Sequence, residues 1–397
     1  MEKGILAYPW DLDILGIEPS LNEIQEAGLD AICLNVGYHH GRFFRPRAKT
    51  FCELKESAIS FLPDARLYGR LKPLLHVDLA NNMIVEKTAK SAKERGMSFL
   101  AWLVFFHNSS LGEANESLCM QNIWKDRYIY NLCASQPDVH EYAMALMTDV
   151  CKNHKPARVV TEAVSWLPFE HNCHHEVYTT DLGETGKYLL SMCFCDECQK
   201  KASSLGVDVE KTIYTADRLM KRIIEKDIGW AEMERSSLSY YFLEFPELYD
   251  YQHARQQILH DLLTDLYAVA KKYSVSLDYV PTSMILSSVH AFWEGVSFSL
   301  LEDCVDRFSL APYGPDASAV RHDVRSVRNV TDASLGAAIS LRFGVTDSLD
   351  DLIARLEVFY QEGIEAIWFY NYGILTKERF SWIRKAIDTV GPEFWAK

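Results

Sequence analysis

Eight short apolar runs rich in β-branched and aromatic residues recur along the chain, and the gaps between them carry helical periodicity. The runs are GILAYP (4–9), AICLNV (31–36), SFLAWLVFF (98–106), ARVVTEAV (157–164), VSLDYV (275–280), RFSLAPY (307–313), LGAAISL (335–341) and EAIWFYNY (365–372). Between them lie amphipathic stretches such as SLNEIQEAG, IVEKTAKSAKERG, VHEYAMALMTDVCKNH and LDDLIARLEVFYQEG. Strand alternating with helix is the pattern of βα units around a parallel sheet. Several helical stretches end in Gly directly before the next run, where a left-handed cap and a short loop want it. Eight such units predict an α/β fold, a (β/α)8 TIM barrel, in preference to an open doubly wound sheet.

Two insertions, at about 38–82 and 166–240, interrupt the alternation after the second and fourth strands. Both follow a strand's carboxyl end, the face on which barrel enzymes build their sites. There is no linker rich in Gly, Ser or Pro and no internal repeat, so 1–397 is expected to form a single TIM-barrel domain.

A net charge of −14 argues against nucleic acid as a partner, because binding phosphate needs a basic surface. No run of about 18 apolar residues offers a membrane span. The amino terminus, MEKGILAYPW, enters a strand-like segment with no basic stretch and no cleavage site, so a soluble, cytoplasmic protein is expected. The oligomeric state is open, and a homo-oligomer is compatible with the sequence.

In a barrel, polar residues at the strand ends converge on one cavity. Those ends supply Tyr8, Asn35, His39, His107, Asn108, Trp166, Tyr313, Arg342, Tyr370 and Asn371. Aromatic rings that stack on sugar faces, beside Asn, His and Arg that satisfy hydroxyls, suit a small carbohydrate substrate. Glu162 is the sharpest candidate. A carboxylate following RVVT in an apolar strand is desolvated, its pKa rises, and it can serve as a general acid toward a glycosidic oxygen. The alternative is a structural ion pair with Arg342 or a lysine. The two-carboxylate route needs a partner roughly 5–10 Å away. Asp278 is the first candidate and Glu294 the second, ahead of Asp303 and Glu176.

The loop after the fourth strand reads HNCHHE, with His171, His174 and His175. Its spacing differs from the helical HExxH zinc motif, so substrate hydrogen bonding is the first reading, a metal site the second and a polar surface loop the third. Downstream, SMCFCDEC places Cys193, Cys195 and Cys198 within six residues. Three thiolates so close are the start of a tetrahedral structural zinc site, with Cys133 as the fourth ligand and Cys173 or Cys119 as alternatives. Three reduced thiols at a helix start are the other reading.

CFCDEC, some thirty residues after a strand-four glutamate, resembles the zinc-binding cysteine loop of glycoside hydrolase family 42 β-galactosidases over about 40 residues. That resemblance implies an acid/base role for Glu162 and a structural zinc on the cysteines. It departs from the family at Thr161, where Asn usually stands, and at SLRFG, which has no counterpart of the strand-seven nucleophile. Over most of the chain, GYHHGRFFRP, LCASQPDVHEYA, HNCHHE and LLSMCFCDEC are similar to stretches of an uncharacterised bacterial family of glycoside-hydrolase-like TIM barrels. The expected activity is cleavage of a glycosidic bond in a small glycoside or oligosaccharide. The alternatives are a metal-dependent hydrolase or lyase using the loop histidines, and a barrel that binds sugar without cleaving it.

Overall fold

The computed structural model describes residues 1–171, 178–225, 238–282 and 287–396. Eight parallel strands close into a barrel: β1 (Glu2–Ala7), β2 (Ala31–Tyr38), β3 (Ser98–Val104), β4 (Arg158–Glu162), β5 (Ser276–Tyr279), β6 (Arg307–Leu310), β7 (Leu335–Ser340) and β8 (Ala366–Tyr370). Each apolar run of the sequence forms one of them. The ring closes at β1, which pairs with β2 (Gly4 opposite Ala31) and with β8 (Glu2 opposite Ala366). Helices cover the outer face, so both faces of a strand are buried and the strands read as near-continuous apolar runs. In β2 all eight residues are buried.

Side chains alternate along each strand, so every second one points into the barrel and the interior fills in layers. At the amino-terminal end the layer is ionic. Asp278 accepts from Arg158 Nη1 (3.0 Å) and lies 3.5 Å from Arg307 Nη1, which also donates to Glu2 (3.0 Å). The middle layer includes Val160, Ser309, Ala338 and Trp368. Gly4 makes room for that indole, since a Cβ there would lie 2.5 Å from Trp368 Cζ3. The top layer carries Trp102, Glu162 and Tyr370.

Three excursions rise from the carboxyl ends of β2, β3 and β4. The first holds an antiparallel ribbon, Gly41–Arg45 with Thr50–Leu54. The second, not foreseen from periodicity, joins helix Ser109–Ala114 to a ribbon of Cys119–Gln121 and Arg127–Leu132. The third carries helices Gly183–Leu190, Asp196–Ser204, Val209–Glu225 and Leu238–Glu244. It has an apolar cluster of its own, including Tyr188, Leu219 and Met220, which extends to Leu248 and Tyr251 of helix Pro246–Lys272. Among the described residues, no helix is long and apolar enough to cross a membrane.

Candidate active site

Glu162 is the last residue of β4, two positions above Val160 on the inward-facing row. The next residue, Ala163, has φ 54°, a left-handed conformation that costs an L-residue about 1–2 kcal/mol. Two backbone hydrogen bonds of 2.9 Å hold that turn, from Phe105 N–H to Glu162 O and from Phe106 N–H to Ala163 O. The strand end is therefore fixed on the side of β3.

The Glu162 carboxyl accepts a 2.6 Å hydrogen bond from Trp102 Nε1. Burial pushes its pKa up to about 7, with the Trp102 hydrogen bond opposing the rise. The carboxyl is enclosed by protein, while the residue keeps partial exposure toward a small cavity of ≈ 50 Å³ at the centre of the barrel. Tyr38, Trp102, Ser309, Tyr313, Trp368 and Tyr370 line that cavity with Glu162, among apolar side chains such as Leu6, Val160 and Val280. A larger surface groove of ≈ 640 Å³, lined by Glu18, Lys87, Lys90 and Glu94, shares none of these residues.

Three phenols form a chain along one wall. Tyr8 Oη lies 2.7 Å from Tyr370 Oη and donates to Tyr38 Oη at 3.1 Å. Burial raises the pKa of all three, and the Glu162 charge adds to the rise at Tyr38 and Tyr370. Tyr313 is raised by burial in the same way, with the Arg342 charge opposing. Arg342 itself is exposed. These phenols stay protonated at neutral pH and serve as hydrogen-bond donors.

A row of histidines continues from Tyr38. His39 stacks on Tyr38 at 4.1 Å and on His107 at 4.0 Å, and His107 Nδ1 lies 3.3 Å from His171 Nε2. Burial pushes His39 down to about 3 and His107 well below its usual value, so both rings are neutral near pH 7. His174 and His175 lie outside the described residues, as do Cys173 and Glu176.

The structure places the remaining candidates elsewhere. Asp278 stands opposite Val160 in the register, in the ionic layer at the amino-terminal end of the barrel, and is committed to Arg158 and Arg307. Burial raises its pKa to about 6 against the pull of both guanidiniums. Glu294 is buried, accepts from Ser165 Oγ at 2.9 Å, and does not line the cavity. Asn35 Nδ2 donates to Gly37 O (3.1 Å) and Trp102 O (3.4 Å), which pins the irregularity between β2 and β3. Asn108 caps helix Ser109–Ala114 by accepting from Leu111 N–H, and Asn371 accepts from Gly373 N–H in a tight turn. Trp166 is fully buried, donates to Cys133 Sγ at 3.4 Å and lies under the Arg255 guanidinium.

The cavity thus gathers Tyr313 and Tyr370 with Glu162, while Tyr8 stands behind Tyr370. It also brings in Trp102, Ser309 and Trp368, which motif reading passed over. Their signal was the two-residue alternation in SFLAWLVFF, FSL and AIWFY, where every second residue faces inward.

The four cysteines converge. Cys133 Sγ lies 3.7 Å from Cys193, 3.4 Å from Cys198 and 3.6 Å from Cys195, and all four residues are buried. Donors surround the sulfurs: Gln121 N–H points at Cys193 (3.3 Å), Gln136 Nε2 at Cys195 (3.6 Å) and Trp166 Nε1 at Cys133. N–H donors favour thiolate over thiol. Burial raises the Cys133 pKa, but hydrogen bonds from the three other cysteines bring it well below the usual value, while burial and the Cys133 charge hold Cys193 and Cys198 well above theirs. Such a cluster can hold a metal ion. It would join the excursion after β3, which carries Cys133, to the one after β4.

Known structures match this architecture over nearly its whole length. The PgaB (BpsB) glycoside hydrolase domain of Bordetella bronchiseptica superposes with a TM-score of 0.60, at 11% identity, over 97% of this chain and 98% of that one. The fold it shares with this chain is the (β/α)8 barrel. The catalytic domain of a Paenibacillus polymyxa β-amylase gives a TM-score of 0.58 at 10% identity, covering 98% of each chain. A β-galactosidase from the psychrophilic Marinomonas ef1 gives 0.57 at 8% identity, covering 97% of this chain and 58% of that one. No family model and no curated protein matches the sequence.

Proposed function

We propose that this chain is a glycoside hydrolase that cleaves a glycosidic bond in a small glycoside or oligosaccharide, with Glu162 as general acid and then general base. The observation that carries this reading is a carboxyl at the carboxyl end of β4, enclosed above a barrel cavity, with its pKa raised by burial to about 7. A group poised near working pH both donates and recovers a proton efficiently. Glu162 protonates the leaving oxygen as the bond from C1 breaks, then takes a proton from the incoming water. Trp102 fixes the carboxyl, and the phenols of Tyr313 and Tyr370 donate to sugar hydroxyls. Fold neighbours named as glycoside hydrolase domain, β-amylase and β-galactosidase support the same class. In the test, Glu162→Gln loses about 10²–10⁴-fold in kcat on aryl glycosides, the span of general acid–base catalysis, while sugar binding persists. A fully active Gln variant removes Glu162 from the role.

For the cysteines, the proposed ion is a structural zinc. A tetrahedral thiolate site with Zn–S near 2.3 Å has sulfur–sulfur edges of about 3.8 Å, close to the 3.4–3.7 Å separations around Cys133. With four thiolate ligands it leaves no open position for a reacting water.

A second reading rests on one distance. The 3.3 Å between His107 Nδ1 and His171 Nε2 equals the separation of about 3.3 Å between two imidazole nitrogens on a tetrahedral metal. Activity that survives complete metal removal, verified by elemental analysis, rules out a metal-dependent reaction.

A further inference from the structure

Among the described residues lining the cavity, Glu162 is the one carboxylate. A single acid can start glycoside hydrolysis but cannot also supply the nucleophile or hold the attacking water on the opposite face. Asp278 is engaged by Arg158 and Arg307 in the amino-terminal layer, and Glu294 is buried outside the lining. A tyrosine nucleophile would have to ionise, and burial makes that harder for Tyr313 and Tyr370. Asp11 is buried as well but lies outside the lining, so among the described residues that line the cavity none supplies a nucleophile, and the substrate is left to do so.

The cavity floor indicates which substrate group that is. Ser309 Oγ and Trp368 Nε1 are buried, at 5% and 3% residue exposure, and neither atom has a hydrogen-bond partner in the protein. Both residues line the cavity, and the walls beside them, Leu6, Val160 and Ala338, are apolar. A pyranose face carries several hydroxyls, each costly to bury without its own partner. An acetamido group has one carbonyl oxygen, one N–H and one methyl. Its carbonyl can accept from Trp368 Nε1, Ser309 Oγ can take either remaining role, and the methyl suits the apolar wall. The small free space also fits a two-carbon appendage better than a second sugar ring.

We propose that the space beneath Glu162 is an acetamido pocket, and that the substrate is a β-linked 2-acetamido-2-deoxyhexoside hydrolysed with assistance from its own amide. This rests on the glycoside hydrolase reading above and deepens it. The acetamido oxygen attacks C1 from the face opposite the leaving oxygen, so the 2-acetamido group and the leaving group must be trans. As that C–O bond forms, the bond from C1 to the leaving oxygen breaks, and the Glu162 proton moves to the departing oxygen. A cyclic oxazolinium ion results. Water then adds to C1 and gives a proton to the Glu162 carboxylate, while the bond from C1 to the amide oxygen breaks and restores the acetamido group. The net reaction is hydrolysis with retention at C1.

The test compares aryl 2-acetamido-2-deoxy-β-hexosides with the parent aryl β-hexosides bearing a 2-hydroxyl, using the full chain. The expected result is kcat/KM higher by about 100-fold or more for the acetamido series, with the β-anomer as first product. Replacing the acetyl by trifluoroacetyl weakens the amide nucleophile and should slow kcat by a comparable factor. A 1,2-fused thiazoline sugar, shaped like the cyclic ion, should inhibit competitively. Ser309→Ala and Trp368→Phe should each raise KM for the acetamido series about 5–20-fold, the scale of one lost buried hydrogen bond. The fluorination series uses the unaltered protein, so it stands even if a variant fails to fold. Cleavage of 2-hydroxyl glycosides with the acetamido series inert, or no response to fluorination, overturns this inference and leaves the hydrolase reading intact. No turnover of either series, with or without thiazoline binding, removes both.

Discussion

Trp102 Nε1 and Glu162 Oε2 are 2.6 Å apart, so the group that orients the candidate acid also stabilises its ionised form. Burial and this hydrogen bond act on the Glu162 pKa with opposite signs, and burial wins. A general acid works while protonated, so activity should fall as pH rises through about 7. Trp102→Phe removes the bond that favours the anion. The alkaline limb of kcat/KM should then move up by about one unit, the size of one charge-assisted hydrogen bond. A limb that stays put or moves down would show that Trp102 does not act through Glu162.

The same shift has a consequence for stability. The folded protein holds the Glu162 proton up to about 7, whereas the usual carboxyl value is 4.5. The resulting stabilisation is fully present below about 4.5 and is lost as pH rises through about 7. Glu162→Gln is neutral throughout. Calorimetry should therefore find its Tm close to that of the parent at pH 4.5 and higher by about 1–3 °C at pH 8. A Gln variant that loses stability relative to the parent between those pH values contradicts the desolvated carboxyl.

Asp278 is expected to matter for folding. It is fully buried between Arg158 and Arg307, and removing one partner of such a cluster leaves charge uncompensated. Asp278→Ala should cost about 3–5 kcal/mol in denaturant unfolding, while kcat per folded molecule stays within a few-fold of the parent. Loss of kcat at unchanged stability would instead give Asp278 a chemical role.

The cysteine cluster predicts about one zinc per chain by elemental analysis. Cys193→Ser should abolish it and lower Tm, because the three cysteines at 193–198 and Cys133 come from different excursions. Protein purified without metal, with Tm unaffected by added zinc, would leave four reduced thiols.

The barrel was legible because strands buried on both faces leave long apolar runs, and helices between them leave another period. Glu162 stood out as a charge in such a run, and Cys193, Cys195 and Cys198 by their spacing. Trp102 and Trp368 did not, because a tryptophan within an apolar strand reads as packing until barrel closure shows that it faces the cavity. Asp278 shares the inward parity of Glu162, but its height depends on register. Pairing opposite Val160 and Arg307 sets it below Glu162, among arginines. Asn35, Asn108 and Asn371 bond to backbone groups, a choice made by local turns that strand-end position alone does not reveal.

The role of Glu162 is tested most directly by leaving-group dependence in Glu162→Ala. Aryl glycosides with a poor leaving group need the acid, whereas a dinitrophenyl glycoside departs without protonation. The variant should lose about 10²–10⁴-fold on the former, the span expected for a missing general acid, and far less on the latter. Equal losses on both would contradict proton donation by Glu162.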